Sequence, residues 1–387
     1  MGRGIRRIIF LDALLSKGDL SPFCRKVTNT ITGKVIYCQG QEQPEIPSKA
    51  TFFVRDVPGY LDLEIPDLNN KSHMVSIPTY QGYTIQLHAY ADCDAYLNSR
   101  VSASGRSKLR RYQRKLETCF PIRYQTYYGS IQKTEYNRLF AQLRVLIERR
   151  FFQKREHNYD LQYLDYFQDT VYPLILEKRA SLCVIYDDKK PISIRLNMHY
   201  EKIIYSLITS YDIDYGKFGL GSIDMVKNIE WGFDQGFEII DLLKGYYYHK
   251  KKWITEAYNY RHLVIYGRNS LPTYLGAYYI KLKLLLFYRL VKLGRRVKLD
   301  KVYKRYKTYR YGRSIQSKRN RPTKFVGALV ECSNGAKNCD VIQIEAGEYA
   351  FVREAVYDYL YCNNCRREDV RVTKCKESKG DFCVHRR

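Results

Sequence analysis

Between residues 181 and 243 the apolar positions change period more than once. Segments 192–198 and 203–210 read as strands, in which side chains two apart share a face. A turn at 215–222, Tyr-Gly-Lys-Phe-Gly-Leu-Gly-Ser, breaks the pattern. Segment 223–235 then carries the three-to-four spacing of an amphipathic helix, and 237–243 returns to strand. Upstream, 181–186 and 191–198 flank Asp187-Asp188-Lys189-Lys190 and predict a hairpin. Segment 134–150 places Tyr136, Leu139, Phe140, Leu143, Leu146 and Ile147 on one helical face. Segment 161–178 reads as a second helix, kinked by Pro173. Residues 1–130 are less periodic. Strand-like runs at 51–55 and 83–88 lie among Pro44, Pro47, Pro58, Pro66 and Pro78, followed by a short helix at 91–98 and a basic one at 102–119. The fold class expected is α/β, or α+β, with a mixed sheet.

Composition narrows the picture. At 387 residues and 45% hydrophobic, the chain has material for a real core and for two or three domains. Its net charge of +26 points to an anionic partner. Residues 281–324 hold 17 basic side chains and one acid, Asp300, which accounts for 16 of those 26 charges. Much of the rest lies in residues 100–123. No signal peptide is read at the N-terminus, since the apolar run 8–15 is short and contains Asp12. Lys281, Lys283, Arg289 and Lys292 interrupt the best membrane-spanning candidate, 271–293. A cytoplasmic protein with reduced thiols is expected, possible attachment to the inner membrane face being peripheral.

The strand, glycine turn and helix beginning near residue 222 have a chemical meaning. Free backbone N–H groups and the positive end of a helix dipole then converge on one spot, which suits a pyrophosphate. The order Gly-x-x-Gly-x-Gly is neither a dinucleotide fingerprint nor a P-loop. A tight connection that needs glycine for its backbone angles explains it equally well.

The wider segment, about 85–267, resembles the GNAT N-acetyltransferase superfamily, in particular its FemAB-like branch typified by the CelD-type acetyltransferases of cellulose biosynthesis. The residues that carry the resemblance are Tyr211-Asp212, the stretch from Lys217 to Gly221, Ile240-Asp241-Leu242, Gly245, Lys250 and Trp253, with the basic stretch 107–117 upstream. The resemblance implies a GNAT-type mixed sheet flanked by helices. A degenerate GNAT-like half (1–130) would precede an acyltransferase domain (131–267). It implies acyl transfer from acetyl-CoA or another acyl-CoA to an amine or hydroxyl, with aminoacyl-tRNA as the less favoured donor. Gly216, Lys217, Gly219, Gly221 and Ser222 would hold the donor's pyrophosphate, and a backbone amide of strand 203–210 its thioester carbonyl. Asp241 and His249 are the candidate bases, and Tyr211 and Tyr248 candidate proton donors. Lys250 and Trp253 would bind the acceptor or brace the site. The acceptors implied are small or envelope-related, and a polyprenyl-phosphate-linked sugar would suit the charge. Cys183 has no histidine beside it in sequence to make it a nucleophile.

Two segments follow. Residues 268–325 hold a helix at 274–293, with Leu282, Leu285, Leu286, Leu290 and Leu293 close to one face, and then the basic run. The first reading is a helix packed on the domain with its lysines in solvent; the second is an interfacial helix at an anionic membrane; the third is nucleic-acid binding. The tail, 326–387, is cysteine-rich, and Cys362, Cys365, Cys375 and Cys383 offer a zinc set of irregular spacing, against ordinary tail cysteines. The tail is also open to being an accessory segment unrelated to the catalytic region. Two rival functions remain. One is a non-catalytic nucleic-acid binder using 281–324, with tyrosines on which bases would stack. The other is a degenerate acyltransferase fold kept as a subunit, prompted by Tyr246 and Tyr247 where the branch has acids.

Overall fold

The computed structural model describes residues 5–21, 23–39, 50–66, 72–154, 160–245, 251–267, 271–297, 299, 302–303, 305–306, 329–331, 339–345, 347–375 and 382–386. In chain order the first strands are β1 (Ile5–Ile9), β2 (Lys26–Asn29), β3 (Val35–Cys38), β4 (Thr51–Val57), β5 (Leu61–Glu64) and β6 (Ser72–Gln86). They are followed by β7 (Ile122–Tyr127), β8 (Ala180–Asp187), β9 (Lys190–Tyr200), β10 (Ile203–Tyr211), β11 (Ile239–Lys244) and β12 (Glu256–Gly267). Nine of these form one mixed sheet in the order β1-β4-β12-β6-β11-β10-β9-β8-β7, and β3-β2-β5 form a small second sheet. The large sheet draws strands from both sides of residue 130, with β12 seated between β4 and β6.

Helices cover both faces. The short α1 (Phe10–Asp12), α4 (Lys133–Lys154) and α5 (Leu164–Leu176) lie on one face, over a core that includes Leu182, Leu196 and Ile203. α2 (Cys93–Arg100), α3 (Ala103–Cys119), α6 (Leu220–Asp234) and α7 (Leu271–Arg296) lie on the other. The expected mixed sheet flanked by helices is therefore present. α4 buries the six residues its periodicity predicted. Asp92 and Ser102 start α2 and α3 by accepting from Ala95 N–H and Gly105 N–H at 2.7 and 3.2 Å.

β9 alternates apolar and polar residues, as a half-exposed strand does, yet its interior residues are all buried. Its apolar side meets α4, and its polar side lies beneath α6. Arg195 donates to Asp224 on α6, with Nε at 3.0 Å from Oδ2, and also to Ser206 Oγ. Asn197 donates to Asn228 Oδ1 at 2.7 Å. His199 meets Ser181 Oγ at 2.9 Å, among the rings of Tyr128, Trp231 and Phe237. Burial pushes the His199 pKa down to about 3, so the ring is neutral at physiological pH. The same layer holds the Cys183 thiol, which burial pushes up to about 11, far from a thiolate nucleophile.

The C-terminal segment folds as β13 (Leu329–Glu331), β14 (Cys339–Val341), α8 (Arg353–Asn363), β15 (Val370–Cys375) and β16 (Phe382–Arg386), with sheet order β13-β16-β15-β14. It packs directly on the body. Val352, Val356, Tyr357 and Leu360 share one core with Leu116, Phe120, Tyr215 and Phe218. Its helix α8 thus packs directly against the glycine turn.

Candidate functional site

β10 and β11 are parallel neighbours joined by the crossover helix α6. They pair only at their starts, as Ile203↔Ile239, Ile204↔Ile240 and Tyr205↔Asp241. Beyond that point each strand departs from regular pairing. β10 has an irregularity against β9 between Ser206 and Ile208, and β11 has one against β6 between Asp241 and Lys244, where Leu243 takes a positive φ of 58°. The two strands therefore part. Among the described residues, 207–211 of β10 have no strand partner on the β11 side. An open sheet edge inside a fold is an unfilled set of backbone hydrogen bonds.

The chain leaves β10 through two short 3-10 turns over Ile213–Phe218, kinked at Tyr215 and started by the Asp212 carboxylate, which accepts from Asp214 N–H. α6 then begins at Leu220, three residues earlier than its periodicity suggested. Gly219 makes this break by taking φ +64°, and a side chain there would also strike the Tyr112 ring at 2.4 Å. Gly221 lies against the Tyr211 ring, 2.8 Å from where a Cβ would stand. Gly216, by contrast, faces open space. Ser222 and Ile223 donate to Gly219 O at 2.7 and 3.3 Å. Among the described residues, no acceptor meets the N–H groups of Leu220 and Gly221.

Two amines face this helix start. Lys252 reaches Ser222 Oγ at 3.1 Å and lies 4.4 Å from the centre of the Trp253 ring. Although the residue is exposed, partial desolvation and then the charge of Lys108 lower its pKa. Lys108 itself lies over Tyr112. Two cations set against each other beside free N–H groups form a local concentration of positive charge suited to an anion.

The outer side of the turn is locked by acids. Asp212 accepts from Arg149 at 2.6 Å and from Lys190 at 2.7 Å, and Asp214 accepts from Arg149 at 2.9 and 3.0 Å and from Arg353 of α8. Burial alone would raise the Asp212 pKa; Lys190 and Arg149 outweigh it and hold it below the usual carboxylate range. Arg150, next in sequence, stacks 4.3 Å from the Tyr211 ring centre and donates to Thr209 O at 3.2 Å.

The structure separates several predicted site residues. Lys217 points away from the α6 start: it pairs with Asp358 of α8 at 3.1 Å and meets Cys362 Sγ at 3.8 Å. Asp241 stands at the point where the strands part, but it is fully buried, on the face opposite α6. It accepts from Tyr60 and Tyr258 hydroxyls and from Leu243 N–H, at 2.6–2.8 Å. Burial and the Asp241 charge raise the pKa values of Tyr60 and Tyr258 well above the usual tyrosine range. A base must come within hydrogen-bond reach of the proton it takes, and here the Asp241 oxygens are turned to the two hydroxyls and to Leu243 N–H. Tyr211 lies six residues along β10 from Tyr205, about 20 Å away, and does not join Asp241 in one constellation. Trp253 is 2% exposed, in a core with Met225, Ile229 and Leu242, and its carbonyl accepts from Tyr96. The ring packs on the α6 side of the sheet. His249, Lys250 and Tyr246–Tyr248 lie outside the described residues.

Of the proposed zinc ligands, Cys362 and Cys365 lie at the end of α8 and Cys383 is buried in β16, while the Cys375 side chain lies outside the described residues. Among the described residues no three His, Cys, Asp or Glu side chains converge as a metal set would require. Sequence reading missed Lys252, Lys108 and Tyr112. The run Lys250-Lys251-Lys252 carried the signal, but not which of the three amines turns inward.

Residues 103–251 match the family model described as an acetyltransferase (GNAT) domain. That stretch runs from the start of α3 to Lys251, one residue short of Lys252, and includes the parted strands and the turn. Among solved structures, the chain is similar to FemX, with 12% identity over 57% of this chain and 73% of that one, at a TM-score of 0.40. L-PGS from Bacillus licheniformis is 12% identical over 62% and 73%, at 0.38. A tandem GNAT protein from the clavulanic acid biosynthesis pathway is 9% identical over 57% and 65%, at 0.30. No curated protein sequence matches the chain.

Proposed function

We propose that the chain is an acyltransferase that takes its acyl group from a coenzyme A thioester and passes it to an amine or hydroxyl of a small or envelope-related acceptor. The observation that carries this reading is the parting of β10 from β11 directly before a helix whose first N–H groups are free. An extended amide-bearing donor arm fits the edge 207–211, where its amides replace the missing strand and share Thr209 O with Arg150. Its pyrophosphate fits the α6 start, where Leu220 N–H, Gly221 N–H and Lys252 converge and Lys108 adds charge. The thioester then lies toward the vertex at Tyr205 and Asp241. Asp241 acts as a positioning residue, holding the bend at Leu243 that keeps the strands apart. His249, five residues beyond the end of β11, is the side chain proposed as base. The match of residues 103–251 supports the same reading.

Calorimetric titration with acetyl-CoA tests it. The parent protein should bind, and Lys252→Glu should weaken binding by about tenfold to a hundredfold, the worth of one charged hydrogen bond. Lys217→Gln should change affinity little, because Asp358 already holds that amine. A parent that does not bind, or a Lys252→Glu variant that binds as well as the parent, rejects this donor site.

A further inference from the structure

α7 carries six cations and no acid between Leu271 and Arg296. It packs through one side only. Thr273 and Ala277 are buried, and Ile280 and Leu284 lean on the patch of Ile77, Val264 and Tyr266, while Tyr288 meets Tyr80. With successive side chains about 100° apart, Leu275, Leu282, Leu286 and Leu293 fall on the opposite side, and Tyr279 and Leu290 lie beside them. Each of these six is more than half exposed. Of the leucine face expected to pack on the domain, Leu285 does lean on that patch, while Leu282, Leu286, Leu290 and Leu293 point outward, and among the described residues nothing covers them. Arg289 and Arg296 flank the stripe on one shoulder and Lys283 on the other. Single exposed leucines are ordinary, but a continuous stripe with a cationic border is an interaction surface.

We propose that this outer face of α7 docks on an anionic lipid bilayer, with the leucine stripe entering the headgroup boundary and the flanking cations reaching lipid phosphates. Three features favour this occupant. A nucleic-acid surface would place cations at the centre of the face, and here leucines occupy it. A second copy laid along the stripe would oppose the cations of α7 to their own counterparts, with no acid on the helix to relieve them. In sequence, the same helix runs on into a basic stretch that continues to residue 324. The attachment is peripheral, since no helix among the described residues is long and apolar enough to cross a membrane. The inference stands apart from acyl transfer and survives or fails without it.

Vesicle flotation of the full chain tests it, using phosphatidylcholine alone and phosphatidylcholine mixed with phosphatidylglycerol. The parent should float with the mixed vesicles and stay behind with the neutral ones. Leu282→Asp with Leu286→Asp should lower partitioning by at least about tenfold, at an unchanged melting temperature, because both sites are exposed. Lys283→Glu with Arg289→Glu should lower it by about twentyfold or more, at roughly fivefold for each lost cation. A parent that fails to float overturns the proposal, as does a leucine variant that floats like the parent. It is equally overturned if the leucine variant merely converts a parent dimer to monomer, or if a random oligonucleotide binds parent and leucine variant alike while vesicles bind neither.

Discussion

Asp224→Ala is expected to cost the fold about 3–5 kcal/mol, the usual result of removing one partner of a buried ion pair. Arg195 and Asp224 are only 3% and 2% exposed, and the guanidinium holds the carboxylate through two nitrogens. Without Asp224 the charge of Arg195 stays beneath α6, with Ser206 Oγ as its remaining side-chain hydrogen-bond partner among the described residues. Against a total stability of about 5–15 kcal/mol, such a loss approaches unfolding at body temperature. The paired replacement Arg195→Met with Asp224→Leu removes both charges and should recover most of the loss, because apolar groups of similar size commonly do as well as a buried pair. Urea denaturation of the two variants measures the difference. Equal midpoints for Asp224→Ala and the parent would mean that Arg195 finds water. The pair also bears on function: it fixes α6 against β9, and so sets where the free N–H groups of Leu220 and Gly221 point.

Asp241→Asn is expected to lose about 2–4 kcal/mol of stability, from weaker hydrogen bonds to a neutral acceptor and from an amide NH2 turned toward hydroxyls that already donate. Asp241 receives Tyr60, Tyr258 and Leu243 N–H in a site without solvent. If its role is to hold the bend in β11, acyl transfer by the folded fraction should keep the parent's pH profile, while the affinity for acetyl-CoA falls as the parted strands relax. Were Asp241 the base, the variant would bind donor normally, kcat would collapse, and the acid limb of the pH profile would disappear. Measuring stability, donor affinity and pH profile on one sample separates the two roles. Removing the charge should also bring the Tyr60 and Tyr258 pKa values down, since Asp241 is one of the causes that raise them.

Much of the better-ordered half could be read in advance, and the reasons are local. The hairpin of β8 and β9 follows from two apolar runs about one polar turn, and α4 from six residues at helical spacing. β6 was harder. Its fifteen residues contain Pro78, which cannot donate to the ladder, and the strand survives because its pairing with β12 is irregular there. β9 was read as a strand, but its burial was not legible. Its alternation is real, but its polar side faces Asp224 and Asn228 rather than water, and a helix from later in the chain decides that. The leucines of α7 were assigned to the packed face because apolar stripes usually pack; of the five named only Leu285 does so, beside Ala277, Ile280 and Leu284. At the site, the glycine turn and its helix were legible. The inward turn of Lys252 and the capture of Lys217 by Asp358 depend on contacts made far along the chain, which no spacing within the motif encodes.

The central claim is that the opening between β10 and β11, with the start of α6, receives the acyl donor. Hydrogen–deuterium exchange with and without acetyl-CoA addresses it directly. Slowed exchange is expected in residues 207–211 and at Leu220 and Gly221, where open backbone groups gain partners, with little change in β13–β16. Slowed exchange confined to the C-terminal sheet and α8, or binding that leaves both predicted segments exchanging as before, would contradict it.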